Sequence, residues 1–249
     1  MPVTINGTTG VVTPALVNGT ALAFRNKIIN GNFGINQRVY VSGTATSGAN
    51  QYTLDRWRVV TSGQNLTFSA SGAGNSVTAP AGGIEQVIES LNIEGGTYTL
   101  SWTGTATGAV NGSAISNGGQ VTLPANTNAT IKFSSGTVSL VQLEAGSVAT
   151  PFENRPIGTE LALCQRYCLK LMPGIQLCKL RELDRSRAGF YTFPVQMRAT
   201  ATVGSMSTTD SQSVTISGQS DRGFSMYSLA PGDGSTAQID TQALVTAEL

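Results

Sequence analysis

The chain has 249 residues, 15 of them basic and 14 acidic, and it contains no histidine. Only 12% of the residues are charged while 29 are glycine, against about 25% charged and about 7% Gly in ordinary globular domains. The lack of histidine excludes Ser-His-Asp and Cys-His catalysis and His-bearing zinc sites, and a net charge of +1 provides no field for non-specific nucleic-acid binding.

The surface is therefore expected to consist of Ser, Thr, Asn, Gln and backbone amide rather than ion pairs. No run of about 18 apolar residues occurs, so no membrane insertion is expected. Residues 1–10 lack a charged region followed by an apolar one, so no signal peptide is expected either. The length allows one large β domain or two smaller ones, each with a core of its own.

In chain order, the first 36 residues carry a weak repeat. Ile5-Asn6-Gly7-Thr8, Val17-Asn18-Gly19-Thr20 and Ile29-Asn30-Gly31-Asn32 recur with a spacing of twelve. Asn-Gly is a strong turn signal because both residues tolerate positive φ. The repeat reads either as short strands and tight turns of an anchor segment (residues 1–25) or as chance in an Asn- and Gly-rich chain.

Residues 26–156 read as β throughout, with short apolar-alternating runs between Gly, Ser, Asn and Pro clusters. Strands are expected at 52–60, 65–70, 96–103, 121–123, 130–133 and 138–143, while 84–92 also fits a helical face. Tyr98, Leu100 and Trp102 alternate with Thr and Ser, which turns them to one side. Trp57 and Trp102 are candidates for sugar stacking, but a mid-strand position on an alternating face favours the core. Arg56 and Arg58 should point away from Trp57 and be solvated or bonded to loop carbonyls.

Composition then shifts. Residues 153–198 hold eight of the fifteen basic residues against four acids. The expected connector helix covers 157–173, with Thr159 as its cap, Glu160 in the first turn and Pro173-Gly174 as its stop. Leu161, Cys164, Cys168 and Leu171 fall at 3-4-3 spacing and make a narrow apolar seam. That seam packs on a sheet or lines a symmetry axis. Cys164 and Cys168 are too poorly oriented at i, i+4 for a disulfide, and with Cys178 they read as small buried side chains.

Residues 174–249 return to strands, expected at 188–193, 200–205, 214–217 and 223–229, with a turn at 231–234. The predicted fold is mainly β: a jelly-roll-like β-sandwich, one connector helix and a smaller C-terminal β domain.

Motifs of chemistry are few. No phosphate-binding loop, dinucleotide loop or Gly-x-Ser-x-Gly elbow occurs, so no cofactor and no catalytic residue is assigned. Glycosidases need two carboxylates; Glu85 and Glu89 would share a face if 84–92 is helical, Glu144 and Glu153 flank a loop, and some such pairs are expected by chance among 14 acids. The sequons at Asn6, Asn18, Asn65, Asn111 and Asn128 read as turn chemistry. Groups on loops are better placed for ligands, and in the C-terminal domain those are Tyr191, Arg222, Tyr227 and Asp233.

Two stretches resemble a known family. Residues 26–38 (NKIINGNFGINQR) precede 52–57 (YTLDRW), and 141–156 (VQLEAGSVATPFENRP) runs into 160–167 (ELALCQRY). The pattern is similar to tail-fibre and receptor-binding proteins of tailed bacteriophages, and 193–200 (FPVQMRAT) and 246–249 (TAEL) resemble their small terminal domain. Cys168 stands where that family has a second aromatic residue.

The resemblance implies a homotrimer in the virion, assembled in the host cytoplasm. Its N-terminus would attach to other tail or baseplate proteins and its C-terminal domain would face a host surface glycan. A purely structural virion component is the alternative. Jelly-roll carbohydrate modules also hold a structural calcium through loop carbonyls and an Asp, for which Asp55 is the candidate; the sequence leaves metal content open.

Overall fold

The computed structural model describes residues 4–6, 10–12, 24–179, 186–207, 214–229, 236–239 and 242–249. It is mainly β, with every strand pair antiparallel. Near the N-terminus, β1 (Thr4–Asn6) pairs with β2 (Gly10–Val12), the first of the repeated Asn-Gly segments.

A β-sandwich follows. One sheet contains β3 (Gln51–Tyr52), β4 (Arg58–Val59), β7 (Ile84–Ile88), β9 (Thr107–Val110), β10 (Ser113–Ile115) and β12 (Ala129–Ser134), in the order β10-β9-β12-β7-β4-β3. The other contains β5 (Thr67–Ser71), β6 (Gly74–Ala79), β8 (Gly96–Thr103), β11 (Gly119–Leu123) and β13 (Gly136–Ala145), in the order β11-β8-β13-β6-β5. From β6 to β13 the chain passes repeatedly between the two sheets, which gives the jelly-roll-like character.

The inward face of each strand supplies the core. Tyr98, Leu100 and Trp102 of β8 are buried, as are Ile131 and Phe133 of β12. Trp57 lies between Phe33 and Phe133, with ring centroids 4.8 and 6.2 Å away. Both tryptophans are therefore core residues. The run at 52–60 is not one strand, however. A turn at Leu54–Trp57 divides it, closed by Trp57 N–H on the Leu54 carbonyl (2.9 Å), with Arg56 at φ +70°.

Helix α1 spans Ile157–Gln165 and is shorter than the sequence predicts. Pro156 occupies the N-cap position and no side chain caps the helix, so Thr159 does not have that role. Residues expected to continue it form β14 (Cys168–Leu171), which pairs with β21 (Ala243–Thr246). Pairing with a distant strand overrides the local helical spacing, as tertiary context commonly does. Ile84–Asn92 likewise resolves into β7 and a single 3₁₀ turn at Ser90–Asn92.

The smaller C-terminal β unit has its own core. Its three-stranded sheet runs β14-β21-β17, with β17 at Thr202–Val203. A five-stranded sheet joins β15 (Gln176–Lys179), β16 (Ser186–Thr192), β18 (Thr215–Ser217), β19 (Gly223–Leu229) and β20 (Thr236–Gln238), in the order β18-β19-β16-β15-β20. Leu169, Leu171, Leu177, Phe224, Met226 and Val245 are among the side chains buried between these sheets.

Candidate functional site

Register decides which terminal side chains face solvent. In β19, Phe224, Met226 and Ser228 are buried, so Ser225 and Tyr227 lie on the other face. In β16, Phe190 pairs with Ser225 and Ala188 with Tyr227. Phe190 and Tyr227 are consequently diagonal neighbours on one outward face, about 7–8 Å apart in such geometry. Phe190 is 65% exposed and Tyr227 42%. Across β18, Thr215 stands opposite Tyr227 and Ser217 opposite Ser225. The hydroxyls of Thr192, Thr215, Ser217, Ser225 and Tyr227 have no hydrogen-bond partner among the described residues.

Of the described residues singled out from sequence, Tyr227 alone is on this face. Tyr191 points the other way, stacked on Phe224 at 5.8 Å and close to Phe193 at 6.2 Å, so it is part of the core wall. Arg222 is exposed but precedes β19. It lies five positions before Tyr227, about 16 Å along an extended chain. Asp233 lies outside the described residues. Phe190 was missed because Phe190-Tyr191 adjoin, and sequence alone does not say which of two adjacent aromatics faces outward.

The apolar seam does not exist as a helical stripe. Leu161 and Cys164 are in α1, but Cys168 and Leu171 are in β14. Cys164, Cys168 and Leu171 are wholly buried within this chain, which leaves them no surface for a symmetry axis. Cys164 packs with Ile29, Ile35 and Tyr167, and Leu161 borders that cluster. Burial pushes the Cys164 thiol well above its ordinary pKa and the Cys168 thiol up to about 12, so both are protonated and unreactive.

The motifs behind the family resemblance meet in one buried polar network. Asn30, at φ +57°, donates its side-chain amide to the carbonyls of Ile35 and Asp55 (both 2.9 Å) and accepts the Ile35 N–H at 2.9 Å. Its own carbonyl accepts the Trp57 indole N–H at 3.0 Å, and its N–H donates to Glu160. A Cβ on Gly31 would collide with the Val141 carbonyl, so glycine alone fits this turn. Arg155 pairs with Glu160 at 3.1 Å and donates to the carbonyls of Ile28 and Asn26. Glu153 accepts the Asn26 N–H at 2.9 Å, and Glu144 accepts the N–H and hydroxyl of Thr150 at 2.8 and 2.7 Å.

The other candidate carboxylates are also committed. Glu85 is paired with Arg58 at 2.6 Å. Glu89 is paired with Arg166 at 3.2 Å and accepts the Tyr167 hydroxyl at 3.0 Å. Residues 85 and 89 are not on a helix, so the expected helical face is absent and each carboxylate is held by its own arginine. Asp55 does not fit a calcium ligand: its two carboxylate oxygens face the Gln37 N–H at 3.1 Å and the Gln37 side-chain amide at 2.7 Å. Burial raises its pKa. Among the described residues no group of three or more acidic or Cys side chains is gathered to hold a metal.

Arginines also join the two β units. Arg56 is buried rather than solvated; it pairs with Glu248, donates to the Val87 carbonyl at 2.6 Å and lies 3.6 Å over the Tyr167 ring. Arg38 reaches the same Glu248 at 2.7 Å. Arg58 and the Tyr52 hydroxyl donate to the Leu249 carbonyl at 2.8 and 2.7 Å. Arg198 donates to the carbonyls of Ala247 and Glu248 at 2.9 and 2.8 Å.

Comparison with protein-family profiles, with curated protein sequences and with solved structures returned no match.

Proposed function

We propose that this chain is a non-enzymatic tail-fibre or receptor-binding protein of a tailed bacteriophage, holding the virion to a host cell-surface glycan as a homotrimer. The observation that carries the reading is the outward face of the C-terminal sheet, where Phe190 and Tyr227 stand among Ser and Thr hydroxyls that have no partner among the described residues. Flat rings stack on pyranose faces and free hydroxyls meet sugar hydroxyls, a combination suited to shallow binding. Three copies per fibre convert weak single sites into avidity. The sequence resemblance supplies the virion context, with residues 1–25 as the attachment segment to tail or baseplate proteins.

Cys164 of α1 and Cys168 and Leu171 of β14 are buried within the chain and offer a trimer no axial surface. Exposed edge strands such as β5 are surfaces that neighbouring copies would cover. The alternative, a structural virion component without receptor contact, draws on the motifs of the resemblance being committed to internal bonds.

Fluorescent full-length protein applied to bacterial cells tests the leading reading. Saturable binding that disappears after periodate oxidation of surface glycans is expected, together with a solution mass three times the 25.8 kDa chain. Absence of binding to every strain the phage infects, with antibody labelling along the tail, supports the structural alternative instead.

A further inference from the structure

A second candidate site lies at the junction of the two β units, away from the aromatic face in sequence and in sheet. It is an open pocket of about 420 Å³, within the range of roughly 300–1,000 Å³ for small-molecule sites. Arg38, Tyr40, Gln51 and Tyr52 form its sandwich wall, and Thr246 and Glu248 the opposite one.

The walls are fixed before any ligand arrives. Asn36 bonds both the N–H and the carbonyl of Tyr40 at 2.9 Å, closing a tight loop. Val39, between Arg38 and Tyr40, is held at φ +56° although it is exposed. A β-branched residue in that region is a genuine outlier, and such strain of about 1–3 kcal/mol persists where surroundings impose it, commonly at ligand sites. The Tyr40 hydroxyl is tied to the Thr44 carbonyl at 2.6 Å, and Tyr52 is tied to Leu249.

Several polar groups on the walls are left over. Gln51 spends its carbonyl oxygen on the N–H groups of Ser47 and Gly48, at 2.8 and 3.2 Å, while its Nε2 has no partner among the described residues. The Thr246 hydroxyl has none either. Among the described residues Arg38 bonds through Nη2 alone, and its buried Nε has no partner. Tyr40, Tyr52 and Leu244 add apolar surface.

We infer that this pocket is a saccharide subsite taking a single sugar ring. An apolar ligand would leave the spare donors unmatched, and an inorganic anion would face the Glu248 carboxylate. A sugar hydroxyl both donates and accepts, so it meets Gln51 Nε2, Thr246 Oγ1 and Glu248 together while the ring lies on tyrosine surface. The inference rests on the glycan-binding reading for its ligand class, but it uses different residues from the Phe190–Tyr227 face.

The test titrates the full-length protein, followed by amide NMR shifts, with the methyl glycosides of glucose, galactose, mannose, rhamnose and N-acetylglucosamine. At least one should bind saturably, with shifts at Gln51, Tyr52 and Thr246. Gln51→Glu keeps the oxygen that holds Ser47 and Gly48 but removes the spare donor; Thr246→Val keeps shape and removes the hydroxyl. Each should weaken binding about tenfold as read at the pocket amides, the scale of one hydrogen bond, with an unchanged melting temperature. No binding by any of the five sugars, or equal binding by both pocket variants and wild type, overturns the subsite. Cell attachment that survives both pocket variants but fails in Tyr227→Ala also rejects the pocket's part in adhesion while preserving the outer face. Free-sugar binding in the pocket without cell attachment rejects the virion reading instead.

Discussion

The network around Asn30 and the outer face of the C-terminal sheet use polar groups in opposite ways. Around Asn30, amides, carboxylates and the Arg155 guanidinium are buried and almost all of them are bonded, Arg155 Nε having no partner among the described residues. On the sheet face the hydroxyls have no partner among the described residues and two aromatic rings are exposed. Unpaired buried polar groups are costly, so the first arrangement specifies the fold. The second adds little to stability and is free to meet a ligand. The motifs that resemble tail fibres belong to the first arrangement, and the adhesive chemistry we propose belongs to the second.

Substitutions should separate the two regions. The largest effect is expected for Arg155→Ala, which strands Glu160 and releases the Asn26 and Ile28 carbonyls. A loss of about 3–5 kcal/mol should show in denaturant unfolding of the sandwich. Glu248→Gln comes next, because it removes the charge shared by Arg38 and Arg56. A loss of about 2 kcal/mol should appear as faster hydrogen exchange in β21. Tyr227→Ala should change stability by no more than about 0.5 kcal/mol yet reduce polysaccharide binding about tenfold, by surface-immobilised assay. If it destabilised the fold as Arg155→Ala does, the distinction between the regions would fail.

Two smaller effects probe the buried side. Cys164 and Cys168 should resist alkylation in mildly alkaline buffer, where peptide mapping by mass spectrometry finds them modified only after unfolding. Asp55 should titrate above the ordinary carboxyl range of about 3.9, measured by carboxyl NMR. The folded state then holds a proton that the unfolded state has lost. The contribution of Asp55 to stability therefore falls as pH rises from that ordinary value through the folded one, and is level above it.

Much of the fold was legible because burial writes period-2 patterns. The strand at Gly96–Thr103 and the strand at Gly223–Leu229 are where alternation places them. Strands such as Gly74–Ala79 and Ser113–Ile115 were not foreseen, since Gly, Ser and Asn there resemble turn composition. The helix was overextended because Cys168 and Leu171 fit a helical spacing, and their pairing with Thr246 and Ala243 lies far along the chain. Arg56 was misplaced for a similar reason: only the turn at Leu54–Trp57 carries it inward to Glu248.

The candidate site was half legible. Tyr227 was visible as an aromatic in the terminal domain, but its neighbour Phe190 comes from another strand, through a register that composition does not encode. Arg222 and Tyr191 were near in sequence to the right strand and wrong in face or position. The pocket at Gln51 and Thr246 depends on two β units meeting, and neither segment announces it alone.

The most direct measurement is biolayer interferometry of the full-length protein on immobilised host surface polysaccharide, comparing wild type with the Phe190→Ala/Tyr227→Ala double variant at matched melting temperature. The account predicts saturable wild-type binding that the double variant weakens by at least about tenfold. Equal binding by the two proteins would contradict it and move the adhesive role away from the C-terminal face.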